Sequence, residues 1–137
     1  MILAGCCSLT KSALATITFV LYCRQVRITY YTTPSGRRPV EDFIRAQPVR
    51  LGAALFEALD QIEEHGLSAP GVSLRQIRGK LWEIRISAGG AARVFYCLLP
   101  GGGEETLVLL HAYLKKTQKA PRQEIETAEG RMREVFP

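Results

Sequence analysis

The sequence predicts an α/β domain of the α+β kind: an antiparallel sheet of about four strands packed by two N-terminal helices and a C-terminal helix. Three observations point there. Runs rich in β-branched and aromatic residues with period-two alternation recur at 26–31, 82–86, 92–99 and 106–113. Apolar stripes at helical spacing, each opened by a proline, follow Pro39, Pro48 and Pro121. Clusters of Gly, Pro and Ser separate these segments.

The first strand, 26–31, is stopped by the turn chemistry of Thr33-Pro34-Ser35-Gly36. Pro39 suits the first turn of a short helix through Ala46. Pro48 opens a longer helix on which Leu51, Leu55, Ala58, Leu59 and Ile62 recur on one stripe, ending at His65-Gly66. After the loop Ser68-Ala69-Pro70-Gly71, the second strand alternates, with Trp82, Ile84 and Ile86 toward the core and Glu83 and Arg85 away from it. A three-residue hairpin loop, Ala88-Gly89-Gly90, then sets Arg85 directly opposite Arg93 in the third strand, a pairing of like charges. Pro100-Gly101-Gly102-Gly103 makes the next turn. In the last strand, alternation places Leu107, Leu109, His111 and Tyr113 on one side. Pro121 begins the C-terminal helix, with Ile125, Ala128, Met132 and Val135 on a common stripe.

A chain of 137 residues fits one domain with its own core. Its net charge of +5 is unevenly spread. From Arg75 to Lys119 there are eight Lys and Arg against three Glu, whereas Glu41 to Glu64 carries six acids against two arginines. A basic side favours a polyanion such as RNA or DNA; the alternative is a solvated face. Three of the four cysteines, Cys6, Cys7 and Cys23, lie in the first segment, and neither Cys nor His stands at zinc-site spacing. No metal or other cofactor is expected, and a reducing cytoplasm fits best.

Residues 1–25 contain no acid and are compositionally foreign to the rest. Their apolar run is short for a membrane span and lacks a signal-peptide cleavage site, so no membrane association is expected. They read as an N-terminal extension, with an upstream start codon the simplest account and the domain itself occupying 26–137.

Three motifs in order carry a resemblance. They are Lys80-Leu81-Trp82-Glu83-Ile84-Arg85, Arg93-Val94-Phe95-Tyr96, and the run from Leu109-Leu110-His111-Ala112-Tyr113 through Leu114-Lys115-Lys116-Thr117-Gln118-Lys119, followed by a proline-started helix. Together they resemble the RelE/ParE superfamily of bacterial toxin–antitoxin toxins, in its phage-derived, HigB-like branch. The resemblance implies a compact RelE-like toxin neutralised by a partner antitoxin, expected here to be of the helix-turn-helix kind. Its better-studied members cleave mRNA on the translating ribosome without a metal. One departure is Ala120, where the family usually has a threonine to cap the last helix.

Such cleavage needs a proton acceptor for the ribose 2′-hydroxyl, positive charge for the phosphorane-like transition state and an acid for the 5′-oxygen. Arg85 and Arg93 are suited to the phosphate, since guanidinium holds two oxygens at once. The alternative is that they pair with Glu83 and a C-terminal carboxylate such as Glu126 or Glu129. His111 is the candidate base or acid, with a hydrogen-bonded core histidine as the alternative. Lys115, with Lys116 and Lys119, either grips the RNA backbone or acts as the acid. Arg75, Arg78, Lys80, Lys116 and Lys119 are candidate RNA contacts, and Tyr96 either stacks a base or fills the core. The rival functions are a gyrase-inhibiting ParE-like binder, which needs no such cluster, and an inactive antitoxin-binding relic.

Overall fold

A computed structural model describes residues 25–101, 104–116 and 121–136. Of the extension expected at 1–25, residues 1–24 lie outside the described residues, as do Lys119 and Ala120, and Gln25 already belongs to the first strand. The elements run β1 (Gln25–Tyr30), α1 (Pro39–Arg45), α2 (Val49–His65), a short 3-10 turn (Gly66–Ser68), β2 (Ser73–Arg78), β3 (Leu81–Ile86), β4 (Ala92–Leu99), β5 (Glu104–Leu114) and α3 (Arg122–Val135). The α+β class is as the sequence predicts. The sheet has five strands in the order β1-β5-β4-β3-β2, and β1 runs parallel to β5 while every other pair is antiparallel.

The helices divide between the two faces of the sheet. The whole predicted stripe of α2, Leu51, Leu55, Ala58, Leu59 and Ile62, is buried. With Val40 and Ile44 of α1 it packs on Ile84, Ile86, Val94, Tyr96, Leu107 and Leu109. On the other face, Ala128 of α3, flanked by Ile125 and Met132, packs on Leu81, Phe95, Cys97, Val108 and Leu110. A sheet covered on both sides explains the nearly continuous burial along β4, from Ala92 through Cys97.

Two irregularities set which side chains share a face. Between β4 and β5 the register passes from Phe95 opposite His111 to Tyr96 opposite Leu109, so Leu110 is an extra, bulged residue. Strict alternation, which places Leu107, Leu109, His111 and Tyr113 together, therefore fails at this point. Leu107 and Leu109 point into the α1/α2 core, whereas Leu110 and Tyr113 belong to the α3 side. In β2 the register slips between Gln76 and Arg78. The slip turns Arg78 to the α3 side, opposite Leu81, where strict alternation from Leu74 would send it to the other face, while Leu74 and Ile77 point to opposite faces as their three-residue spacing requires.

The β3–β4 hairpin forms in the expected register, with Arg85 opposite Arg93. Gly89 at its tip has φ +77°, and an added Cβ would lie 3.0 Å from the Leu51 backbone nitrogen and from Arg50 Cγ. Only glycine lets the hairpin turn there and rest against the start of α2.

Candidate nucleic-acid interface

Residues directly opposite one another on neighbouring strands share a face. Two rows follow on the α3 side: Arg75, Glu83, Phe95 and His111, then Ser73, Arg85, Arg93 and Tyr113. The sheet thus gathers Arg75, Arg85, Arg93, His111 and Tyr113 on one face, with Lys115 and Lys116 following directly in the chain. It does not gather Arg78 and Lys80. They lie at the other end of β3, where Arg78 Nε pairs with Glu129 at 3.4 Å and Lys80 Nζ sits 4.6 Å from the Phe136 ring centroid. Both are exposed but occupied in holding the C-terminal helix. Tyr96 lies on the opposite face, 1 % exposed, and burial pushes its phenol up to about 12. As an RNA contact it is ruled out by position, and the packing alternative holds.

Within the cluster the cations differ sharply. Arg85 is exposed and, among the described residues, makes no ion pair. Arg93 is 6 % exposed. Its Nη1 donates to the carbonyls of Ala92 at 2.9 Å and Ile86 at 3.3 Å, and its Nε stands 3.8 Å from Glu83 Oε1. The ion-pair alternative therefore holds for Arg93 and not for Arg85. At that distance Nε has no hydrogen-bond acceptor, and the buried Tyr113 hydroxyl has no partner either. Burial raises the Tyr113 phenol above its ordinary value, the charge of Glu83 adding to the shift and Arg93 opposing it. The phenol is a proton donor and not a base.

His111 is half-buried and held from both sides by α3. Its Nε2 meets Glu124, and Arg131 Nη1 lies 3.2 Å from its Nδ1 while also donating to the Leu110 carbonyl at 2.9 Å. An arginine N–H can only donate, so Nδ1 accepts and Nε2–H donates to the carboxylate. The His111 ring also stacks with Tyr113, centroids 6.5 Å apart. Glu124 and Arg131 are the site residues that the sequence does not reveal, whereas Glu83 is the partner expected for an arginine of this pair. A carboxylate in the first turn of a helix without a side-chain cap was the only signal for Glu124.

Two concavities flank the cluster. One, of about 480 Å³, is lined by Phe43, His111, Tyr113, Leu114, Lys116 and Glu124 among others. The second, of about 430 Å³, has Arg85 at its rim, between α2 and the start of β2. Arg85, Arg93 and His111 share one face, with His111 lining one of these concavities and Arg85 the other.

A mixed five-stranded sheet between a helix pair and a single helix is compatible with a compact RelE-like α+β domain. The chain belongs to the phage-derived Gp49-like protein family (DUF891), whose model matches residues 42–133 and which is a family of RelE-like toxins. No curated protein shows significant similarity to the chain. Among the described residues no helix is long and apolar enough to cross a membrane.

Proposed function

We propose that the chain is the toxin of a type II toxin–antitoxin pair, on the HigB-like side of the superfamily, and a metal-independent endoribonuclease that cuts mRNA on the ribosome. The observation that carries this reading is an exposed, unpaired Arg85 directly opposite the buried Arg93, on the face that also holds His111 and Tyr113. An anion bridging the two guanidiniums relieves their mutual repulsion, and a phosphodiester offers the two oxygens needed.

In this reading Arg85 and Arg75 receive the RNA backbone from solvent, while Arg93 and the Tyr113 hydroxyl supply donors from beneath. Lys115 and Lys116 add positive charge and the acid for the 5′-oxygen. The protein would work in the cytoplasm beside the ribosome. Its antitoxin, of helix-turn-helix type, would cover the basic face with an acidic segment.

A non-enzymatic toxin that arrests gyrase is the second reading, favoured by one observation: both nitrogens of His111 are engaged, so no free base faces the groove. A translation reaction separates the two. Mapping of message 3′ ends is expected to show cuts within codons, and Arg85→Ala is expected to abolish them and relieve growth arrest while antitoxin binding persists. Intact message together with arrested supercoiling would reject the nuclease.

A further inference from the structure

We infer that Arg131 and Glu124 form a substrate-opened gate on His111: Arg131 covers the imidazole acceptor until an RNA phosphate draws it away, and Glu124 is the positioning residue that holds the ring. This inference rests on the nuclease reading for its chemistry but on α3 geometry for its mechanics.

Glu124 and Arg131 are seven residues apart, two helical turns, and so share one face of α3. That face meets His111 at both ring nitrogens. Among the described residues no carboxylate forms an ion pair with Arg131; its N–H contacts are the neutral Nδ1 and the Leu110 carbonyl, and its guanidinium lies 5.3 Å from the Tyr31 ring centroid. A cation held only by neutral acceptors is poised for exchange, because hydrogen bonds to an ionised oxygen are about twice as strong as those to neutral groups. A phosphate of bound RNA offers such oxygens. Glu124 cannot follow Arg131, since it accepts from the opposite nitrogen, and so the ring stays oriented as its acceptor is uncovered.

The exposed Nδ1 then takes the proton of the 2′-hydroxyl as the 2′-oxygen bonds to phosphorus and the bond from phosphorus to the 5′-oxygen breaks. The 5′-oxygen takes a proton from the Lys116 ammonium. The products are a 2′,3′-cyclic phosphate and a 5′-hydroxyl end. His111 leaves the step protonated beside the Glu124 carboxylate, and solvent returns a proton to Lys116 and removes one from His111.

Two measurements on the full chain test the gate. Ring nitrogen spectra of His111 are expected to show the Nε2–H tautomer, and a saturating RNA oligonucleotide carrying 2′-O-methyl groups is expected to remove the Arg131 contact at Nδ1. In ribosome-dependent cleavage, Glu124→Gln should lower kcat about 10²-fold, the scale of general-base catalysis, leave KM within about twofold and displace the pH profile. Glu124→Asp should recover part of the loss, and Arg131→Lys should raise KM more than it lowers kcat. Thermal melts show whether each variant is folded. If the wild type cuts message and these variants match it at every pH, the gate is wrong and the nuclease reading stands. If the wild type never cuts but the oligonucleotide still strips Arg131 from His111, the nuclease reading falls and the phosphate-opened gate stands. An Arg131–His111 contact that survives bound oligonucleotide, or an oligonucleotide that does not bind, overturns the inference.

Discussion

The two faces of the sheet are built on opposite principles. Beneath α1 and α2 the contacts are apolar almost throughout, from Val40 and Ile44 to Leu107 and Leu109. Beneath α3 the apolar patch around Ala128 gives way to Glu83 and Arg93, both nearly inaccessible, with His111 and the unpartnered Tyr113 hydroxyl beside them. Burying a charge pair yields little net stability, because desolvation offsets most of the Coulomb attraction. Orphaned donors cost more still. The first face therefore accounts for the fold. The second carries groups whose retention is explained by a ligand better than by stability.

Breaking the charged face at one partner should produce the largest effect. Glu83→Ala leaves the Arg93 guanidinium buried without its counter-charge and is expected to cost about 3–5 kcal/mol of unfolding free energy, as much as truncating a core leucine such as Leu55 on the other face. The double variant Glu83→Leu with Arg93→Leu sharpens the contrast. It should return near wild-type stability in denaturant melts while toxicity is lost. Retained toxicity in a stable double variant would remove Arg93 from the site.

Next comes a change in activity without a change in stability. Arg85 is exposed and unpaired, so Arg85→Ala should alter unfolding free energy by less than about 0.5 kcal/mol. If Arg85 stabilises a transition-state charge, cleavage falls about 10²-fold or more. A melt displaced by several degrees would instead mean that Arg85 is structural.

These two predictions show what was legible beforehand. The α2 stripe was readable because five apolar positions at helical spacing have one way to be buried. The juxtaposition of Arg85 and Arg93 was readable because two glycines fix a short hairpin. β2 was hidden: it is an edge strand with four of its six residues exposed, and its two half-buried apolar side chains, Leu74 and Ile77, face opposite sides of the sheet, so neither side shows a repeat. The Leu110 bulge was hidden as well, since Leu109 and Leu110 are equally apolar and either could continue the pattern. Parallel pairing of β1 with β5 is not written in the residues of either strand. Nor could spacing reveal that Glu124 and Arg131 meet His111 from 13 and 20 residues away.

The apolar face can also be probed by pH. Burial raises Tyr96 from 10.0 to about 12 and Cys97, on the α3 side, from 9.0 to about 11. In the unfolded chain both groups ionise earlier than in the native protein. Their stabilising contribution is thus complete below the unfolded values, and it is lost as pH rises from about 9 toward 12. Tyr96→Phe should flatten the tyrosine part of that alkaline limb, a difference on the order of 2 kcal/mol at the upper end of the window in urea melts. An unchanged limb would place the phenol in contact with solvent.

The smallest effect is expected where α3 meets the far end of the sheet. Arg78 pairs with Glu129 at 3.4 Å, but its side chain is 63 % exposed. Solvent screening and the entropy of fixing a long side chain leave such a pair about 0–1 kcal/mol. Arg78→Ala should therefore shift the melting temperature only slightly, and 1 M salt should remove most of the difference. Its effect on cleavage separates two roles at the same residue. A loss of ribosome affinity at low salt, with stability nearly untouched, assigns Arg78 to RNA as well as to α3, whereas unchanged affinity confines the basic surface to the Arg85 end of the sheet.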